Sequence, residues 1–150
     1  IFIPSYLKGD DGILNISYYD LLIGMDATVF PSYYEPWGYT PLESIAFGVP
    51  TITTDLSGFG KWCESEGVGG SILSGVRVIH RSDSNSDQVA REIAITLRDL
   101  EMVAPGEMLK IRAHAKELAM RAEWKNFIIY YQEAYDQAIR NAASRNEKNK

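Results

Sequence analysis

The segment Phe30-Pro31-Ser32-Tyr33-Tyr34-Glu35-Pro36-Trp37-Gly38-Tyr39-Thr40-Pro41-Leu42-Glu43 decides the fold, because it joins one periodicity to another. Thr28 to Phe30, at its start, is a short apolar, β-branched run that reads as a strand. Thr40 to Phe47, at its end, is apolar at helical spacing. Thr40-Pro41-x-Glu43 matches a capping box with proline at the first helical position, so the helix is expected to begin there. The prolines and aromatics between strand and helix stiffen the turn.

Working outward, further strand-like runs occur at Ile1 to Ile3, Pro50 to Thr53 and Val76 to His80. Helical patterns lie between them at Ser17 to Met25 and, more briefly, at Lys61 to Glu66. Strands that alternate with helices require crossovers, hence an α/β fold with a Rossmann-like parallel sheet and flanking helices. From Asp87 onward the pattern is purely helical. Val89, Ile93, Leu97 and Leu100 form one stripe with Ser86 as N-cap, and Pro105-Gly106 makes a break. Helices follow at Glu107 to Arg121 and at Trp124 to Ala142, the latter with Phe127, Ile128, Tyr131, Tyr135 and Ile139 on one face. The expected organisation is one domain over residues 1–142, including this helical C-terminal extension, and a polar tail over 143–150. Ile1-Phe2-Ile3-Pro4 reads as a strand already under way, which points to a segment of a longer chain.

Composition narrows the function. The 150 residues are 45% hydrophobic and 23% charged, as a packed fold requires. No apolar run reaches the length of a membrane span. The 15 Lys and Arg against 20 Asp and Glu argue against a nucleic-acid binder. Cys63, the one cysteine, cannot form an internal disulfide, and with His80 and His114 it has no metal-ligand spacing. No metal or other cofactor is expected.

In an open parallel sheet, ligands bind at the carboxyl ends of the strands, where the quoted segment lies. Amides at the following helix start suit a phosphate. Glu35 and Glu43 frame the turn, eight positions apart. Glu43 has an ordinary reading as the closing residue of the capping box, whereas nothing local calls for an acid at Glu35. Asp55, Ser57, Gly58 and Gly60 follow another strand on the same edge and are expected to border the pocket.

The run from Pro31 to Pro41, with Glu43 and the later Thr53-Thr54-Asp55-Leu56-Ser57-Gly58-Phe59-Gly60, resembles the glycogen synthase family of retaining glycosyltransferases. The E-x7-E spacing together with the SGFG element carries the likeness. It is dense from about Tyr18 to Gly60, and thinner at Trp124-Lys125-Asn126-Phe127 and Tyr130-Tyr131. The resemblance implies the C-terminal, donor-binding half of a GT-B fold in a cytoplasmic enzyme. The parent would transfer glucose from UDP-glucose, favoured over ADP-glucose, to an α-1,4-glucan with retention of configuration. It further implies Glu35 beside the transferred glucose, Glu43 on the ribose, and Trp37, Gly38, Tyr39 and Thr40 around the sugar and pyrophosphate. Tyr18 would stack on the uracil, although it could equally be a core aromatic of its helix. The family's arginine–lysine clamp and its acceptor-binding N-terminal domain are absent from this sequence, so the segment alone is expected to be inactive. The aromatic face of the final helix is expected to support self-association.

Rival readings fare less well. After Gly58-Phe59-Gly60 a dinucleotide fingerprint needs a small residue where Cys63 stands. A glycoside hydrolase needs carboxylates on opposite sides of the scissile bond. A transferase acting on another glycan acceptor and a non-catalytic nucleotide-binding module are the remaining alternatives.

Overall fold

The computed structural model describes residues 6–148, with side chains through Arg145. The strand expected at Ile1 to Ile3 lies outside the described residues. From Tyr18 the elements run α1 (Tyr18–Ile23), β1 (Thr28–Val29), α2 (Tyr39–Ala46), β2 (Thr51–Thr54), α3 (Gly58–Ser65), β3 (Val76–Ile79), α4 (Ser86–Glu101), α5 (Pro105–Arg121) and α6 (Trp124–Lys148). The three strands form one parallel sheet in the order β1-β2-β3. Thr28 pairs with Thr51, and Thr51 in turn with Val76. With α2 and α3 as the crossovers, the carboxyl ends of all three strands share one edge.

Period-two alternation in β3 divides the core. Val76 and Val78 pack with Ile45, Phe59, Cys63, Ala115 and Leu118. Ile79 joins Ile52, Ile72, Val89, Leu100 and Ile111 on the other face. β2 is Thr-Ile-Thr-Thr and wholly buried, so its hydroxyls need partners. The Thr51 hydroxyl donates to Val49 O at 3.1 Å, and Thr54 Oγ1 donates to Ser32 O at 2.6 Å. The second of these bonds ties the β1–α2 loop to the central strand.

Several helix starts differ from expectation. α2 begins at Tyr39 with Gly38 as N-cap and no side-chain cap, so Thr40 is not capping and Glu43 closes no box. Gly38 has φ +122°, and a Cβ there would lie 3.1 Å from both Phe59 Cβ and Pro41 Cγ. That backbone turn places the helix start two residues earlier than the capping box would. Pro41 falls in the first turn, where its missing N–H had no intrahelical partner to lose. α3 starts at Gly58 rather than Lys61, capped by Ser57, whose hydroxyl accepts from Gly60 N at 2.9 Å.

Asn85, not Ser86, is the N-cap of α4, and it makes no side-chain cap bond. In α4 the stripe runs Val89, Ile93, Thr96, Leu100, which leaves Leu97 exposed. Pro105 opens α5 as its first residue. α6 continues through the Ala142 boundary to Lys148.

The chain separates into two compact units, one reaching to Ala119 and the other starting at Met120. In the second, the Trp124 and Tyr131 rings pack 5.0 Å apart, and Asn126 Nδ2 donates to Arg121 O at 3.1 Å. Among the described residues no helix is long and apolar enough to cross a membrane.

Candidate functional site

At the carboxyl edge, two loops are joined by backbone. Gly58 N donates to Glu35 O at 3.0 Å, and Phe59 N donates to Trp37 O at 2.7 Å. The approach is close enough that a Cβ on Gly58 would sit 2.2 Å from Pro36 O, and one on Gly60 would sit 2.1 Å from Thr54 O. Gly58 therefore lets the start of α3 seat against the β1–α2 loop, and Gly60 lets the same turn close on the end of β2. Trp37 completes the seat, with its half-buried ring 6.4 Å from Phe59 and 6.0 Å from Trp62.

This seat fixes where Glu35 points. A Cβ on Gly38 would lie 3.5 Å from the Glu35 carboxyl carbon, so the carboxylate folds over the N-terminus of α2. Ser32 Oγ donates to Glu35 Oε2 at 3.1 Å. Glu43 is one turn inside α2, and since it caps nothing its carboxylate is free for other contacts. Its Oε1 accepts from Tyr19 Oη at 3.2 Å. Tyr18, half-buried on α1, has its phenol pKa raised, first by burial and then by the Glu43 charge. Tyr18, Tyr19 and Glu43 therefore form one cluster, with Tyr19 also stacked on Phe47 at 5.2 Å. Tyr39 and Thr40 are exposed at the helix start.

The residues after β2 are structurally committed. Ser57 is fully buried, and besides capping α3 its hydroxyl donates to Thr54 O at 3.0 Å. Both oxygens of Asp55 are engaged, one by His80 Nδ1 and the other by Arg81 N at 2.9 Å. The Asp55 carboxylate raises the His80 pKa through that bond. Arg81 reaches back across the edge, where Nη1 donates to Pro31 O and the guanidinium carbon lies 3.6 Å over the Tyr33 ring. The neighbouring guanidinium lowers the Tyr33 phenol pKa. Sequence reasoning missed His80, Arg81, Ser32 and Tyr19. The first two directly follow β3 at the carboxyl edge of the sheet, which was the available signal.

Among the described residues, no group of three or more His, Cys, Asp or Glu side chains converges as metal ligands would.

The glycogen synthase family model matches residues 1–150. The chain belongs to the glycogen synthase family. It is 32% identical over 133 residues to a glycogen (starch) synthase of Caenorhabditis elegans, covering 89% of this chain and 20% of that protein. Against glycogen (starch) synthase isoform 1 of Saccharomyces cerevisiae the identity is 32% over 143 residues, covering 95% of this chain and 20% of the relative. The human liver glycogen (starch) synthase is 31% identical over 131 residues, with 87% and 18% covered. The chain thus spans about one fifth of the length of the glycogen synthases it matches.

Proposed function

We propose that this segment is the donor-binding domain of a retaining glucosyltransferase that moves glucose from a nucleotide diphosphate sugar, UDP-glucose, to the growing end of an α-1,4-glucan. The observation that carries the reading is the Glu35 carboxylate held over the N-terminus of α2 at the carboxyl edge of a parallel sheet. One small region then presents a negative group and, beside it, helix-end amides.

Transfer breaks the bond between the anomeric carbon and the diphosphate oxygen. The leaving diphosphate gains negative charge while the sugar ring gains positive charge, and a glucan hydroxyl, giving its proton to the departing diphosphate oxygen, then bonds to the carbon on the face the diphosphate left. Carboxylate and amides oppose those two developing charges. Glu43, released from capping, is available to the ribose hydroxyls, and Tyr18 beside it to the base. Acceptor binding and the cationic clamp for the diphosphate belong to parts of the protein outside this segment.

The test is Glu35→Ala in a full-length chain carrying this segment, with UDP-glucose and glycogen as substrates. Turnover should fall by about a hundred- to a thousand-fold, the scale of losing a group that acts on transition-state charge. UDP affinity, measured by calorimetric titration, should change little. Unchanged turnover would remove Glu35 from the mechanism and, with it, the carrying observation.

A further inference from the structure

The position of the Glu35 carboxylate depends on a loop with little support of its own. β1 is only two residues long, and the chain leaves it through Pro31, Ser32 and Tyr33 before reaching Glu35. Tyr33 is half exposed and Tyr34 largely so, so neither is anchored by burial. Within this stretch, Ser32 Oγ donates to the carboxylate and Ser32 O accepts from Thr54.

The residues on either side of Ser32 are held from two strands away. Arg81, just past β3, donates from Nη1 to Pro31 O and lays its guanidinium on the Tyr33 ring. Its Nε is buried, so this group faces protein. Arg81 is in turn fixed through its own backbone N–H by Asp55, at the end of the central strand. A chain of contacts therefore crosses the whole sheet edge, from β3 over β2 to the loop after β1. A planar guanidinium can both donate to a carbonyl and stack on an aromatic face, whereas a lysine ammonium cannot reproduce that pair of contacts.

We propose that Arg81 is a positioning residue for Glu35: by gripping Pro31 and Tyr33 it fixes the intervening Ser32, whose hydroxyl orients the carboxylate beside the transferred sugar. The proposal rests on the reading of Glu35 given above.

The test uses the full-length chain with UDP-glucose and glycogen, and Glu35→Ala as the reference. Arg81→Lys and Tyr33→Leu should each lower kcat by about ten- to a hundred-fold, as a displaced reacting group does. Donor KM should stay within about two-fold, because ground-state binding is untouched. The double variant Arg81→Lys/Tyr33→Leu should lose less than the product of the two single effects, since both break the guanidinium–ring contact. Ser32→Ala removes the relay without disturbing Arg81, and should reproduce the kcat loss with an unchanged thermal midpoint.

Wild-type turnover in Glu35→Ala would overturn the functional reading and the positioning role together. Loss of turnover there with unchanged kcat in Arg81→Lys, or in Ser32→Ala, would overturn the positioning role alone. A raised donor KM at constant kcat in Arg81→Lys would make Arg81 a ligand contact and equally overturn it.

Discussion

A methyl group added to Gly58 would fall 2.2 Å from Pro36 O, a distance no packed carbon and oxygen tolerate. Helix propensity alone would favour the change, because alanine is better than glycine in a helix by up to about 1 kcal/mol. Gly58→Ala should instead destabilise by about 1–3 kcal/mol, the cost of forcing extra volume into a tight site. Denaturant unfolding reads the sign directly. Gly70→Ala is the control, since a Cβ there meets nothing within 4 Å, and it should stay within about 0.5 kcal/mol. A neutral Gly58→Ala would mean that the α3 start and the Glu35 loop do not touch as described. The SGFG element could be recognised in the sequence from its resemblance, but its reason could not. The backbone of Pro36, which makes glycine necessary, is more than twenty positions away.

At the scale of an element, α2 and α3 were expected to begin differently from how they do, and both differences have one cause. Local spacing offered Thr40-Pro41-x-Glu43 as a complete capping signal. Gly38, at φ +122° and with no room for a Cβ beside Phe59 and Pro41, instead starts the helix two residues early, so tertiary packing outweighs the local motif. α3 starts at Gly58, ahead of the helical pattern at Lys61 to Glu66, although two glycines in its first turn argue against helix. Ser57 and the close seat on the β1–α2 loop overcome that preference. The two starts should respond unequally to alanine. Ser57→Ala removes a buried cap and should cost about 1–2 kcal/mol, whereas Thr40→Ala, at an exposed position without a cap bond, should cost under about 0.5 kcal/mol. Comparable losses in thermal or denaturant unfolding would restore Thr40 as the cap and return Glu43 to an ordinary structural role.

For the whole molecule, alternation of strands and helices was enough to read the parallel sheet and to place the Glu35–Glu43 segment at its carboxyl edge, since both follow from short-range periodicity. The cross-edge contacts were not legible. Arg81 meets Pro31 across fifty positions, and His80 meets Asp55 across twenty-five, with no local pattern linking either pair. The same limit applies to Glu43 and Tyr19, which are twenty-four positions apart. Because the carboxylate of Glu43 is not used in capping, the proposed role in binding the donor is testable apart from helix capping. In a full-length chain carrying this segment, Glu43→Ala should weaken UDP by about ten- to a hundred-fold in calorimetric titration, the scale of a hydrogen bond to a charged group. Tyr19→Phe, which deletes the phenol but leaves the carboxylate, should cause a much smaller loss. UDP should bind more tightly than ADP. Tighter ADP would move the donor to ADP-glucose and leave the site in place, whereas equal UDP affinity in wild type and Glu43→Ala would show that the ribose is held elsewhere, with Glu43 serving only to anchor α1 to α2 through Tyr19.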